Sequence, residues 1–421
     1  MSLTERDKKH LWHPLTQHRT HPETLAIKKA SNCLLEDYNG NFYIDAIASW
    51  YTCMYGHCNP KIVSAVKKQM ETLDQVIFSG FTHAPAIELS EALIAILPEN
   101  QNKLFFSDNG STTIEIAIKM ALQYHFNLGN KKDTLIAFEN GFHGDTFGAM
   151  SVSGLSVYNG PFEDFSLKVI RIPVPNKTNI DSILKELSHL NSIHNIAAFV
   201  YEPIVQGAAG MKMHCEKGLN ALIKYCNSKQ IITIADEVMT GFGKTGKNFA
   251  SDYMENKPEI ICLSKALTAG LLPMGITSCS EKIYSVFYSD DLSKGFFHGH
   301  TYSANPLACK AALTGIELLT SKEVQDQIKF ISKSHLKFTE ALKTKAIVKE
   351  VRCKGVILAL DLNLEINRYG NLRDELYHKF LKLGVYLTPL GATIYILPPY
   401  TISNNELKKV YQAIENVIDQ Y

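Results

Sequence analysis

The chain has 421 residues, of which 45% are hydrophobic and 20% charged, a composition typical of a folded globular protein. Its 43 basic and 42 acidic side chains nearly cancel, so no overall field attracts a polyanion and nucleic acid is not an expected partner. No apolar run reaches the length of a membrane span, and the charged start of the chain excludes a signal-peptide core, so we expect no membrane partner.

Five short apolar, β-branched runs predict buried strands of a mixed, mostly parallel sheet. They are 103–106, 134–138, 196–201, 231–235 and 260–263. After the first run, the apolar residues of 114–125 recur at the spacing of an amphipathic helix, and 217–226 repeats this pattern more weakly. The alternation of strand and helix predicts an α/β fold.

No linker or repeat divides the chain, so its domains must pack closely. We predict a large domain over 51–319, with helices on both faces of the sheet. Residues 1–50 form an N-terminal arm and part of a small domain, which 320–421 complete as an α+β unit. Within this unit, 352–361 is predicted to be one strand and 404–419 the last amphipathic helix.

Polar residues collect directly after each of the five predicted strands. The five segments are 107–111, 139–145, 202–206, 236–237 and 264–265. Ligands of open parallel sheets bind beyond the carboxyl ends of the strands, so these segments are predicted to converge on one site. The nine cysteines are scattered and contain no CxxC pair, which excludes a zinc ribbon and favours a reducing cytoplasm; we expect no metal site.

The first polar segment includes Asn109-Gly-Ser-Thr-Thr113, between a strand and a helix. Backbone N–H groups and the helix dipole at such a position suit a phosphate. The same string could equally supply an ordinary helix N-cap, so by itself it leaves both interpretations open.

Three further residues complete a possible cofactor site. Lys265 follows a buried strand, where desolvation favours the neutral amine that a Schiff base requires. Asp236 ends another strand, where a buried carboxylate needs a cationic partner such as a protonated pyridine nitrogen. With Phe142 beside His143 as a stacking ring, these are the parts that hold pyridoxal phosphate.

Two other interpretations are weaker. Gly241-Phe-Gly-Lys-Thr245 contains a GKT, but a nucleotide-binding P-loop needs glycine where this chain has Val238. His298, His300, Asp236 and Glu237 could be imagined as metal ligands, but no further ligand follows at a recognisable spacing.

The whole chain resembles the class III aminotransferases of the fold-type I pyridoxal phosphate family. The resemblance is carried by 234–246 (IADEVMTGFGKTG) and 263–270 (LSKALTAG), and within the class it is strongest to the transaminases of biotin synthesis, through strings such as 143–150 and 395–400. It implies a ping-pong transamination of 8-amino-7-oxononanoate, with S-adenosylmethionine or lysine as amino donor. Another class III transaminase, acting on an ω-amine, ornithine or an ω-amino acid, is the main alternative, and a non-catalytic cofactor-binding protein is a weaker one.

The resemblance also implies roles for individual residues. Lys265 is the lysine that binds the cofactor and moves the proton, and Asp236 pairs with the ring nitrogen. The other implied cofactor contacts are Gly110 and Ser111 to the phosphate, Phe142 and His143 at the ring, Gln206 at its phenolic oxygen, and His300 with Thr301 reaching the neighbouring subunit's cofactor in a homodimer. Glu202 is implied to arrange the pocket. The implied substrate contacts are Leu15, Trp50, Tyr51, Phe142, Lys265, Gly299 and Thr388.

Departures from the family pattern cluster where substrate is expected. Leu15 and Phe142 stand where tyrosine is usual, and His300 stands where proline is usual. Thr388 stands where the resemblance expects an arginine for the substrate carboxylate, and threonine cannot form a charged bidentate pair. Lys244 in place of arginine keeps the charge but loses the planar fork.

Overall fold

A computed structural model describes residues 1–21, 24–154, 159–364 and 371–421. The α-helices in these ranges, in chain order, are α1 (Leu3–His10), α2 (Ala48–Tyr51), α3 (Pro60–Met70), α4 (Ala84–Ile94), α5 (Gly110–Asn127), α6 (Phe147–Val152), α7 (Ile180–Ile193), α8 (Glu216–Ser228), α9 (Glu281–Tyr284), α10 (Pro306–Thr320), α11 (Lys322–Leu342), α12 (Leu372–Lys382) and α13 (Asn404–Ile418). Short 3-10 helices cover Gly160–Phe165, Ala250–Tyr253, Lys265–Thr268 and Leu292–Lys294. Within the described ranges, no helix combines the length and apolar character of a membrane span.

The strands form one large sheet and smaller ones. In chain order they are β1 (Ile27–Ser31), β2 (Leu34–Asp37), β3 (Phe42–Asp45), β4 (Gln101–Ser107), β5 (Thr134–Phe138), β6 (Val169–Ile172), β7 (Ile196–Tyr201), β8 (Val205–Gln206), β9 (Lys212–Met213), β10 (Ile232–Asp236), β11 (Ile260–Leu263), β12 (Gly275–Ser280), β13 (Val348–Lys354), β14 (Ile357–Leu362), β15 (Val385–Tyr386) and β16 (Thr393–Ile396). The predicted α/β fold is confirmed.

The large sheet has seven strands in the order β4-β12-β11-β10-β7-β5-β6. Strand β12 runs antiparallel to both of its neighbours, and the pairs from β11 to β6 are parallel. All five runs predicted as strands lie in this sheet, so the expectation of a mixed, mostly parallel sheet is confirmed.

Apolar residues cover both faces of the large sheet. Along β5, Leu135 and Ala137 pack in the core that contains α5, whereas Ile136 and Phe138 pack in the core on the other face. Such alternation follows from the two-residue period of a strand, and burial of both faces explains why the five runs are continuously apolar. The predicted helices at 114–125 and 217–226 lie within α5 and α8.

The C-terminal part contains a second sheet, β13-β14-β16. The single strand expected over 352–361 is wrong, because the chain folds back there as the antiparallel hairpin of β13 and β14. Gly355 makes this turn with a φ of +59°, and a Cβ on it would lie 2.2 Å from the backbone of Thr245. Only glycine meets both demands, and sequence periodicity does not register such a contact.

The first and last parts of the chain meet in the sheet β1-β2-β3-β15, where β3 and β15 are parallel. The last helix, predicted over 404–419, is confirmed as α13, whose buried face includes Leu407, Val410 and Ile414. The boundaries near residues 50 and 319 stay predictions.

Candidate active site

The polar segments that follow β4, β5, β7, β10 and β11 come together at one edge of the large sheet. The Ser111 hydroxyl accepts a hydrogen bond from the Asp145 N–H at 3.3 Å, which joins the segments after β4 and β5. Glu202 accepts one from the Phe142 N–H at 3.0 Å, which joins the segments after β5 and β7. Residues far apart in sequence thus surround a single space, as the strand order predicts.

Asp236 and His143 form a buried pair at the centre of this space. His143 Nδ1 lies 2.8 Å from Asp236 Oδ2, and Asp236 Oδ1 accepts a hydrogen bond from the Val238 N–H at 3.0 Å. Burial alone would lower the pKa of His143, but the hydrogen bond and charge of Asp236 outweigh it and raise this pKa. The hydrogen bond to Asp236 therefore favours the imidazolium form of His143.

Lys265 begins a 3-10 turn directly after β11, with a positive φ of 49°. Burial lowers the pKa of its ammonium, and the negative charges of Asp236 and Glu202 partly oppose this. Its Nζ lies 5.0 Å from the centroid of the Tyr51 ring. A lowered pKa makes the neutral amine, which is the nucleophile and the base, easier to reach.

Glu202 connects the loops that flank the pair of Asp236 and His143. Its two carboxylate oxygens accept hydrogen bonds from the Phe142 N–H and, at 2.8 Å, from the Gly207 N–H. Burial raises the pKa of Glu202 to about 7, although the charge of His143 acts in the opposite direction. The Phe142 ring itself is 43% exposed, so a face of the ring is available for stacking.

We expect the raised pKa of Glu202 to make the protein less stable as the pH rises. Between the ordinary pKa of 4.5 and the folded value of about 7, the folded state holds a proton that the unfolded state releases. The stability contributed by this proton is complete below about pH 4.5 and is lost by about pH 7, an effect of about 3 kcal/mol. Glu202→Gln should flatten the pH dependence of the melting temperature across this window. An unchanged pH dependence in the variant would contradict the shift.

The N-terminus of α5 supports both interpretations of its sequence. Asn109 caps the helix, accepting from the Thr112 N–H at 3.0 Å, while Thr112 accepts from the Asn109 N–H at 3.1 Å. Ser111 takes no part in the cap, so its hydroxyl and the first N–H groups of the helix remain for an anion. A Cβ on Gly110 would meet Val238 at 2.9 Å, so glycine lets this turn lie against the loop that follows Asp236.

His298, Gly299, His300 and Thr301 lie in a loop beside the start of α5. His300 Nδ1 pairs with Asp108 at 2.9 Å, and the His298 and His300 Nε2 atoms lie 3.0 Å apart. Gly299 and Thr301 are exposed. The two carboxylates weighed as metal ligands are directed elsewhere, because Asp236 pairs with His143 and Glu237 accepts a hydrogen bond from the Ser251 N–H at 2.6 Å.

The GKT lysine also lies away from solvent. Lys244 is fully buried and donates to the Gly241 carbonyl at 2.9 Å, within its own loop. Burial and the nearby charge of Lys265 lower the pKa of Lys244 to about 7. A lysine directed back into its own turn does not serve as a P-loop lysine.

Two of the residues expected to contact substrate meet at the pocket wall. The Tyr51 hydroxyl donates to the Tyr395 hydroxyl at 2.9 Å, and Tyr395 Oη lies 3.2 Å from Thr388 Oγ1. Trp50 and Leu15 are 53% and 62% exposed, without a partner in this arrangement. Of the adjacent aromatic residues, Tyr51 is therefore part of the core and Trp50 is accessible.

The residues that carry this wall have an unusual backbone. All four residues of α2, Ala48 to Tyr51, have positive φ angles between 48° and 77°, which makes α2 a left-handed turn. Asp45 holds it by accepting from the Ile47 N–H at 3.2 Å and the Ser49 N–H at 2.8 Å. Asp45 also pairs with His57 at 2.7 Å.

Sequence reasoning missed Tyr395 and Asp45 as parts of the site. Asp45 ends a strand, β3, just as Asp236 ends β10, so the signal that selected Asp236 was present there too. Tyr395 lies in β16, where a tyrosine is an ordinary strand residue, and nothing in the sequence alone sets it apart.

A family model described as aminotransferase class III matches residues 15–418. Several relatives carry the name adenosylmethionine-8-amino-7-oxononanoate aminotransferase, among them the following two. The Synechococcus elongatus protein is 40% identical over 98% of this chain and 99% of its own, and the Helicobacter pylori protein is 34% identical over 100% of this chain and 98% of its own.

Solved structures of aminotransferases also match the chain along nearly its whole length. The crystal structure of the Methanocaldococcus jannaschii protein of that name matches with a TM-score of 0.94 at 33% identity, covering 99% of this chain and 98% of that chain. An omega transaminase from Pseudomonas jessenii, crystallised with PMP, matches with a TM-score of 0.92 at 25% identity, covering 100% of this chain and 98% of that chain.

Proposed function

The chain belongs to the class III aminotransferase family, and we propose that it transfers an amino group to 8-amino-7-oxononanoate, forming 7,8-diaminononanoate in biotin synthesis. The observation that carries this proposal is the full-length likeness to relatives named for that substrate, together with an intact arrangement of Lys265, Asp236 and His143. The name of these relatives includes adenosylmethionine, which we take as the amino donor, with lysine as the other candidate.

The residues present fit pyridoxal 5′-phosphate, the cofactor of this family. The free N–H groups of α5, with Gly110 and Ser111, suit its phosphate. Asp236 offers a buried carboxylate for the ring nitrogen, and the Gln206 side-chain oxygen is a buried acceptor with no partner among the described residues. Phe142 offers an open ring face. Each chemical feature of the cofactor thus has a counterpart in this pocket.

When bound, the cofactor supplies an electron-accepting ring that stabilises the charge left by a departing proton. The chain's own residues would bind the cofactor, position it and transfer the proton. Lys265 Nζ is the amine that would hold the cofactor, and as a free amine it would serve as the base and acid for the substrate proton. Asp236, whose Oδ2 lies 2.8 Å from His143 Nδ1, would be the carboxylate partner of the protonated ring nitrogen. Glu202 fixes the loop that carries Phe142.

A spectral titration tests the proposal. Adding S-adenosylmethionine, and in a parallel sample lysine, to the purified yellow enzyme should abolish its visible absorbance, and 8-amino-7-oxononanoate should restore it with release of diaminononanoate. If the oxononanoate restores nothing while another amino acceptor does, the chain is a different class III transaminase. If no amine changes the spectrum, the chain binds the cofactor without catalysis.

We also infer that the protein works as a homodimer in the cytoplasm. An apolar groove along α4, lined by Phe78, Ala86, Ile87 and Ile94, lies next to the exposed side chains of Ile77 and Phe81. Clustered exposed apolar side chains favour association, and a second copy would also bring the exposed Thr301 to a neighbouring site. Light scattering should give twice the chain mass, and Ile87→Asp should reduce it. The cytoplasmic location rests on the cysteine pattern.

A further inference from the structure

The amino acceptor named for the relatives is an oxononanoate and therefore carries a carboxylate, so a pocket for it needs a cation or strong donors at its far end. At the wall formed by Tyr51, Tyr395 and Thr388, all three side chains end in neutral hydroxyl groups. Two of the arginines have partners elsewhere in the structure. Arg352 is held by Asp361 at 2.6 Å, and Arg171 by the Ser151 and Ser153 carbonyls at 2.8 Å.

Arg373 is an uncommitted arginine near this wall. It lies in the first turn of α12, it is exposed, and its guanidinium forms no ion pair or hydrogen bond with any described residue. Tyr377, four residues later, shares its helix face, and the Tyr377 ring packs 6.3 Å from the ring of Tyr386 in β15. The helix face that carries Arg373 therefore faces the strand that leads to Thr388.

The geometry of this helix and strand places Arg373 beside Thr388. Helix α12 and strand β15 run in opposite directions from a tight turn at Gly384, where φ is +72°. At 1.5 Å per helical residue and about 3.3 Å per extended residue, Arg373 lies roughly 16 Å and Thr388 roughly 13 Å from this turn. The same calculation gives a similarly small difference between the distances of Tyr377 and Tyr386 from the turn, and the rings of these two residues are packed together. Thr388 lies two residues after Tyr386, and alternate residues of an extended chain share a face, so Thr388 is placed with Tyr386 and opposite the fully buried Leu387.

The charge of Arg373 reaches the same wall. Burial raises the pKa values of Tyr395 and Tyr386, and the positive charge of Arg373 opposes the rise in both. Asp45 is the carboxylate that also acts on both phenols, but it is occupied by His57 and the Ser49 N–H. No described carboxylate thus neutralises Arg373 at this wall.

We propose that Arg373 binds the carboxylate of the amino acceptor, with the Thr388 and Tyr395 hydroxyls as neighbouring donors. This inference rests on the proposed function for the identity of that acceptor. A guanidinium from α12 replaces the charge that Thr388 lacks, and it can form a bidentate pair with a carboxylate.

The test compares Arg373→Gln with the wild-type holoenzyme on two acceptors, 8-amino-7-oxononanoate and its methyl ester. A charged hydrogen-bonded pair predicts that the variant loses about 10- to 100-fold in kcat/KM for the acid, mainly through KM. The variant should use the ester as well as the wild type does. Arg373→Lys should recover part of the loss. The matched control is Lys382→Gln, which removes an exposed charge from the other end of α12 and should leave both acceptors unaffected.

A binding measurement separates this inference from the proposed function. Nonanoate, an unreactive carboxylate of the same chain length, should bind the wild type more tightly than Arg373→Gln in calorimetry, whether or not the oxononanoate is turned over. If the wild type ignores the oxononanoate but nonanoate still distinguishes the variant, the proposed substrate fails and the carboxylate site stands. Equal losses for acid and ester, or equal nonanoate affinities, would overturn the role of Arg373.

Discussion

Replacing Lys265 with alanine should reduce transamination by roughly 10⁴-fold or more, because one amine supplies both the covalent attachment and the proton transfer. No other described lysine lies in its position. Lys244 is fully buried and donates into its own loop, so it cannot take over. The variant should fold normally, since the Lys265 side chain makes no hydrogen bond with any residue that the structure describes.

Two measurements check this expectation. Single-turnover kinetics with the amino donor should show no proton transfer in the variant. Borohydride treatment followed by mass spectrometry should attach the cofactor to the peptide containing Lys265 in the wild type and to none in the variant. Lys247→Ala, which removes an exposed lysine from a nearby loop, is the control. Normal turnover by Lys265→Ala would show that Lys265 is not the lysine that binds the cofactor and transfers the proton.

Asp236→Asn should retain the cofactor but reduce kcat by roughly 10²- to 10³-fold, the usual cost of removing one preorganised charge. Asparagine keeps the shape of the side chain but cannot keep the ring nitrogen protonated. Loss of the carboxylate also removes the interaction that raises the pKa of His143, so burial should then leave this histidine neutral.

The neighbouring carboxylate provides the matched control. Glu237 is buried next to Asp236 in sequence but binds the Ser251 N–H and the Ala250 N–H, away from His143. Glu237→Gln should lower the melting temperature and change kcat little. Asp236→Asn should lower kcat and change the melting temperature little. If the two variants affect turnover equally, Asp236 has no special role in the chemistry.

Much of the large sheet could be predicted because its strands are buried on both faces and are therefore continuously apolar. Strand β12 could not, since Thr277 and Ser278 are polar residues inside the protein. They are tolerated because Thr277 donates to the Thr113 carbonyl and Ser278 to the Gln101 side chain. Such partners are set by tertiary structure and leave no periodic signal in the strand itself.

The candidate site, like the large sheet, could be predicted in part. Lys265 and Asp236 stand at strand ends, where local pattern reveals them, and the structure places both in one space. The pairing of Asp236 with His143 joins residues 93 positions apart, so the sequence showed both groups without showing their contact. The position of Arg373 depends on how α12 packs on β15, and no motif around it suggests binding.

The left-handed turn α2 has a consequence for how this enzyme can change. Each residue of that hand costs about 1–2 kcal/mol, and α2 contains no glycine to reduce the cost. Selection for heat resistance alone would therefore favour glycine at Ser49, where the strain is relieved without loss of a buried contact. Tyr51 would keep its position, because it is buried and its hydroxyl donates to Tyr395. The turn could therefore gain stability while the wall that it carries stays in place.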